Sequence, residues 1–226
     1  MMSQPYQPQT TQSLMDRAQS LAGYRLGHLA DELQTVVPAD LRRHKGWIGR
    51  LLENALGADG GNAAAADFSD LGIELKTIPV TREGRPLEST FVCTAPLAEP
   101  DETTWATSRA RAKLACVLWI PILTERKGPV ADRLIGSPLL WSPSPAEERL
   151  LARDWLDHLD VIRRGYVDEI TAHDGEALQL RPKGACAESR TWSVDADGES
   201  ILTLPRAFYL RARFTHQLVR RHFAIG

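Results

Sequence analysis

Cysteine is scarce in this chain, and the three present are Cys93, Cys116 and Cys186. They are widely spaced, odd in number and form no CxxC pair, which argues against a disulfide framework and a cysteine-built zinc site. Free thiols in a reducing cytosol are expected. No segment approaches the ~20 apolar residues of a membrane span, and the N-terminal stretch has no apolar signal core. The expectation is a soluble, cytoplasmic protein. An excess of one charge is also missing. Lys and Arg number 27 against 29 Asp and Glu, a formal net charge of −2. Any contact with nucleic acid must therefore come from local basic patches. The six histidines, His28, His44, His158, His173, His216 and His222, have no ligand partner at useful spacing and read as structural or solvated.

What is present can build a core: 226 residues, 43% of them hydrophobic, with six Trp. One domain with two lobes is the first expectation. Residues 1–10, MMSQPYQPQT, are rich in Pro and Gln and read as a disordered tail, leaving 11–226 as the domain. Thr11 or Ser13 is placed to cap a first helix carrying Leu14, Ala18 and Leu21. A second helix carries Leu26, Leu29, Ala30 and Leu33. Ser144-Pro145-Ala146-Glu147 combines a capping box with Pro at the first helical position, and opens a helix ending at Arg163-Arg164-Gly165.

The stretch that organises the rest is DFSDLGIELKTIP, residues 67–79. Leu71–Pro79 reads as a strand. Side chains two apart on a strand share a face, so Glu74 and Lys76 point the same way. Asp67 lies in a turn-like segment from which it can fold back beside Glu74. Two adjacent carboxylates call for a cation between them, and oxygen ligands suit Mg²⁺. A lysine on that face would neutralise charge on a phosphate or orient a water. The competing reading is an edge strand with a solvated Glu–Lys pair.

Other charged residues fall in patterns that also admit two readings. Lys45–Ala58 reads as a helix whose apolar face carries Trp47, Leu51 and Ala55. Glu53 is on the opposite flank, near Gly46, Gly49 and Gly57, either as a solvated glutamate or where a backbone or DNA comes close. Thr90–Thr94 reads as a strand on which Phe91 is core or DNA-facing. Arg109, Arg111 and Lys113 alternate before the apolar run Leu114–Leu123, and face phosphate or line a solvated edge. Ala177–Arg181 reads as a strand running into Arg181-Pro182-Lys183, a stiff basic loop fitted to base edges, or simply a basic strand end. Glu188–Glu199 reads as a loop. Residues 205–226 hold Arg206, Arg211, Arg213, Arg220 and Arg221 with no acidic residue, interleaved with Phe208, Tyr209 and Phe214. A DNA-facing PRAFYLRAR segment is expected there, followed by a helix capped by Thr215.

HKGWIGRLLENALGA (44–58), DFSDLGIELKTIPV (67–80), GRPLESTFVC (84–93) and VLWIP (117–121) resemble the MutH family of mismatch-repair endonucleases. So do GSPLLWSP (136–143), LQLRPK (178–183) and ILTLPRAFYL (201–210). The segments occur in the family's order. The resemblance implies an α/β, restriction-endonuclease-like mixed sheet flanked by helices, with an N-terminal catalytic lobe and a C-terminal DNA-recognition lobe over a DNA cleft. It implies a monomer that nicks the unmethylated strand of double-stranded DNA at hemimethylated GATC, with Mg²⁺, when activated by MutL after MutS finds a mismatch. It assigns catalysis to Asp67, Glu74, Lys76 and Glu53, with Asp67 and Glu74 as metal ligands. It assigns DNA contacts to Lys45, Phe91, Lys113, Arg181, Pro182, Lys183 and Tyr209. The alternatives are a GATC-cutting type II restriction endonuclease and a non-catalytic DNA-binding relative.

Overall fold

The computed structural model describes residues 6–59, 65–98, 100, 103–125, 128–183 and 188–223. The helices and strands, in chain order, are α1 (Thr11–Ser20), α2 (Leu26–Glu32), α3 (Trp47–Leu56), β1 (Glu74–Val80), β2 (Thr90–Thr94) and α4 (Arg109–Leu114). They continue with β3 (Val117–Leu123), β4 (Leu134–Ile135), β5 (Leu139–Trp141), α5 (Pro145–Arg163), β6 (Leu178–Pro182), β7 (Thr191–Val194), β8 (Ser200–Thr203), β9 (Arg206–Leu210) and α6 (Ala212–Phe223). The fold class is α/β with mixed pairing, as expected. Among the described residues no helix is long and apolar enough to cross a membrane. The chain divides into two compact units, residues 1–88 with 115–142 and 218–226, and residues 89–114 with 143–217.

In the first unit β3 is the centre of a mixed sheet. β1 runs parallel to it, while β4 and β5 pair antiparallel with it. Parallel register places Leu75 beside Leu118 and Thr77 beside Ile120. Leu75, Leu118, Ile120 and Ile122 join one apolar cluster with Leu14, Leu26, Leu51, Leu52 and Leu56 of the first three helices. Strand alternation therefore sends Glu74 and Lys76 to the other face, beside Val117 and Trp119. α1 is capped by Thr10 rather than Thr11 or Ser13: its Oγ1 accepts from Ser13 N at 3.0 Å. Of the expected tail, residues 1–5 lie outside the described residues. Pro8 is buried, and Arg17 donates to the Tyr6 carbonyl at 2.7 Å.

In the second unit β9 lies between β2 and β6, both antiparallel to it. Phe208, Leu210, Leu178 and Leu180 are fully buried. α5 begins with the expected capping box, Ser144 with Glu147, and Pro145 at its start. Its buried Asp154 fixes the entry to β6, because one carboxylate oxygen accepts from the N–H groups of Glu176, Ala177 and Leu178 at 2.8, 2.5 and 3.0 Å. Gly175 is needed in that turn. Its φ is +80°, and a Cβ there would collide with the Leu178 carbonyl oxygen.

Three local expectations are corrected. Arg109, Arg111 and Lys113 lie on the helix α4, not on a strand. Residues two apart on a helix are ~200° apart, so Arg111 points away from Arg109 and Lys113. Arg111 instead pairs with Glu148 at 2.7 Å, and Lys113 is buried. Glu188–Glu199 is no featureless loop, since Thr191–Val194 and Ser200–Thr203 form an antiparallel hairpin. Finally, α6 starts at Ala212, so Thr215 lies inside it and donates to the Ala212 carbonyl at 3.1 Å.

Candidate active site and base-reading face

Glu74 and Lys76 do project together. Lys76 Nζ lies 3.2 Å from Glu74 Oε1, and the two residues are only 8% and 6% exposed. The solvated-edge reading is therefore wrong: this is a buried ion pair, with the fully buried Trp119 next to Lys76 across the sheet. Buried charges are kept only where partners or a ligand compensate their desolvation. Asp67 folds back as anticipated. Phe68 and Ile73 bridge to each other around the turn at Ser69–Leu71. That turn brings Asp67 Oδ2 to 2.8 Å from the N–H of Leu75, the residue after Glu74.

Glu53 sits on α3, half-buried, where a Cβ on Gly49 would lie 3.6 Å from its Oε1. Lys45 is exposed just before α3, whose start is a left-handed Gly46 with φ +82°. Asp67, Glu74, Lys76, Glu53 and Lys45 all belong to the first unit.

The second unit brings together four residues from three separate stretches of the sequence. Phe91 on β2 pairs in register with Tyr209 on β9, and their rings meet edge to face at 5.6 Å. Arg181 Cζ lies 5.6 Å from the Tyr209 ring centre, and Lys183 Nζ 3.3 Å from the Phe91 ring centre. Cation–aromatic contacts of this kind are worth ~0.5–1 kcal/mol at exposed sites. Phe91 is 37% exposed, so it is not a core residue. Pro182 ends β6 between the two cations and is itself exposed. Burial raises the Tyr209 hydroxyl above the ordinary tyrosine range, partly offset by the Arg181 charge.

In the basic C-terminal segment three of the arginines have protein partners. Arg206 is buried and pairs with Asp168 at 2.9 Å. Arg211 donates to the Ala172 carbonyl and Arg213 to the Glu176 carbonyl. These three guanidiniums hold the loop before β6. Lys113 lies in the same unit as the aromatic pair and is buried, whereas Arg109 and Arg111 are exposed. Two residues escaped sequence reading. Ser89 accepts from Arg181 Nη1 at 2.9 Å across 92 residues, a contact without local signal. Gln179 does have one: apolar residues at 178 and 180 leave 179 on the face of Arg181.

A relative from Serratia proteamaculans, DNA mismatch repair protein MutH, is 53% identical over 98% of this chain and 97% of its own length. The chain belongs to the MutH family. The protein of the same name from Yersinia pestis is 50% identical over the same shares. The family model described as DNA mismatch repair enzyme MutH matches residues 56–154. That range contains Asp67, Glu74, Lys76, Phe91 and Lys113. The MutH family has a restriction-endonuclease-like fold, and the mixed sheet with flanking helices agrees with it.

The chemistry of the donor set bears on the divalent metal that such a nuclease family implies. Asp67 and Glu74 offer carboxylate oxygens, which are hard ligands, and no thiolate or imidazole accompanies them in the turn or on β1. Among the described residues no group of three or more His, Cys, Asp and Glu gathers as a metal cage. Mg²⁺ ordinarily takes one or two carboxylates and completes its shell with water and phosphate. The residues present fit that ion.

Proposed function

We propose that this chain is an endonuclease that nicks the unmethylated strand of double-stranded DNA at hemimethylated GATC sites. The observation that carries the reading is the buried Lys76–Glu74 pair at 3.2 Å, with Asp67 pinned to the next peptide N–H. A lysine and two carboxylates on one short strand and its preceding turn match the needs of phosphodiester hydrolysis.

Asp67 and Glu74 would hold Mg²⁺. When bound, the ion supplies Lewis-acid polarisation of the phosphate and a more acidic water. The protein's own groups do the rest. Glu74 holds the Lys76 ammonium in place, so Nζ is aimed before substrate arrives. That ammonium neutralises charge building on a phosphate oxygen, and costs no reorganisation at that moment. Glu53, on the glycine-flanked side of α3, adds a carboxylate near the reacting strand. Lys45, exposed at the start of α3, contacts phosphate.

Sequence reading falls to Phe91, Arg181, Pro182, Lys183 and Tyr209, with Lys113 supporting DNA contact. Arg181 bridges guanine O6 and N7. The Tyr209 hydroxyl accepts from adenine N6–H, and its ring obstructs a methyl at N6. The enzyme acts as a cytoplasmic monomer, so one site cuts one strand. MutL activates it after MutS has located a mismatch.

Plasmids carrying unmethylated, hemimethylated or fully methylated GATC test this directly, with Mg²⁺ and with or without MutL. Nicking confined to unmethylated strands and stimulated by MutL is expected. Direct linearisation of unmethylated plasmid with no nicked stage would instead identify a paired-site restriction enzyme. Cleavage indifferent to GATC would overturn the reading.

A further inference from the structure

Strand β6 alternates strictly. Leu178 and Leu180 are fully buried on one face, and Gln179 and Arg181 occupy the other. Antiparallel register sets Gln179 opposite Tyr209, and Tyr209 opposite Phe91. Gln179, Tyr209 and Phe91 thus form one row across three strands, with Arg181 next along β6 on the same face.

Gln179 is only 7% exposed, yet among the described residues its side-chain amide has no hydrogen-bond partner. Neither amide atom is fully buried, so the small exposure that remains leaves the amide open to a ligand at the sheet surface. The backbone beneath it is well fixed. Asp154 binds the N–H of Leu178, the preceding residue, and of the two residues before that. An amide with no protein partner and an open end is thus held on a fixed strand, in register with the tyrosine proposed to read adenine.

We infer that Gln179 is a further specificity-determining residue, whose amide N–H donates to N7 of the adenine that Tyr209 reads at N6. Adenine presents in the major groove an N6–H donor beside an N7 acceptor. A tyrosine oxygen can accept from the first. The second needs a donor, which the Gln179 amide supplies while the Tyr209 oxygen is engaged at N6. N7 marks a purine and N6–H separates adenine from guanine, so the two side chains together specify one base. This rests on the base-reading role proposed for Tyr209.

The test uses duplexes with one GATC site in which the adenine of the cleaved strand is replaced by 7-deazaadenine. That base keeps N6 and its pairing but loses the N7 acceptor. Wild type should cut it about fivefold more slowly than ordinary GATC, the worth of one hydrogen bond. Gln179→Met should cut both duplexes at one reduced rate, with strand preference on hemimethylated sites retained through Tyr209. Gln179→Glu, which turns an acceptor towards N7, should be slower than Gln179→Met on ordinary adenine and gain on the deaza base. Thermal melts establish folding of both variants, and the wild-type ratio decides if neither folds. A wild type indifferent to 7-deazaadenine, or a Gln179→Met variant that keeps the wild-type penalty, overturns the assignment of Gln179 alone. Loss of all GATC preference in the wild type would instead remove the reading on which it rests.

Discussion

Lys76 and Arg181 are both cations near the middle or end of a β-strand, and their surroundings differ sharply. Lys76 is buried, and its partner is a carboxylate two residues away on the same strand. Arg181 is exposed. It reaches the Ser89 hydroxyl and lies near the Tyr209 ring, both contributed by other strands or the turn before them. The first arrangement is set by local backbone geometry, which places residues two apart on one face. The second is assembled by tertiary structure from weak contacts. A group that must be aimed at a reacting phosphate benefits from a fixed partner. A group that must move onto a base edge benefits from partners that are easily given up.

The comparison breaks first at Glu74. Removing one member of a buried ion pair typically costs about 3–5 kcal/mol, because the other charge is left uncompensated. Glu74→Ala should therefore lose cleavage altogether and also melt at lower temperature, as read by a nicking assay and a thermal melt. Asp67→Ala should be equally inactive with a smaller loss of stability, since it strands one backbone donor, at ~1–3 kcal/mol. Both variants should still bind GATC duplexes, because the groups proposed to read bases lie in the other unit. Normal nicking by either at saturating Mg²⁺ would dismiss the proposed ligands.

The same contrast explains how much was legible beforehand. Glu74 and Lys76 could be placed on one face from their spacing alone, and the Asp67 turn followed from Asp-Phe-Ser-Asp. What the spacing could not give was burial: the pair reads equally well as a solvated edge until Trp119 and Val117 are seen beside it. The strand also begins at Glu74 rather than Leu71, because Phe68–Gly72 are used in the turn. Alternating Arg109, Arg111 and Lys113 misled because alternation is a strand signal only where the backbone is extended. The arginines of 205–226 show a different limit. Composition counts charges but not partners, and Arg206, Arg211 and Arg213 are directed at Asp168 and loop carbonyls. Phe91 beside Tyr209 was beyond reach, since no local pattern reports a pairing between β2 and β9.

Smaller effects are expected on the face proposed to read bases. Arg181→Ala should relax discrimination between GATC and near-cognate sites by ~1–3 kcal/mol, the usual worth of a bidentate base contact. Ser89→Ala should reproduce only a fraction of this, because it frees Arg181 without removing it. Cleavage rates on a panel of single-base variants separate the two. A uniform loss across all sites would make Arg181 a backbone clamp. Tyr209→Phe should cut unmethylated GATC several-fold more slowly, losing one hydrogen bond. Tyr209→Ser should also narrow the rate difference between the strands of a hemimethylated duplex. An unchanged strand preference in Tyr209→Ser would exclude this ring as the methyl sensor.

The smallest effect lies beneath the reading sheet, at His158 of α5. Its ring packs 6.1 Å from that of Phe208, the residue before Tyr209, and Nε2 lies 3.3 Å from the Leu178 carbonyl. Burial lowers its pKa below the ordinary 6.5, although the Leu178 carbonyl and the nearby Asp154, Asp174 and Asp157 act in the opposite direction. The folded protein thus resists a proton that the unfolded chain accepts. As pH falls below 6.5 the unfolded state binds more protons, so this histidine makes stability decline until its folded pKa is also passed. One group contributes at most about 1.4 kcal/mol per pH unit. Thermal melts from pH 7.5 to 5 should therefore fall less steeply for His158→Gln than for wild type, and at low pH the reading sheet should loosen before β1 does. Hydrogen exchange resolves the order: earlier loss of protection at Leu180 and Phe208 than at Leu75 and Ile120 is expected. Equal acid slopes for wild type and His158→Gln would show that His158 is not the group being titrated.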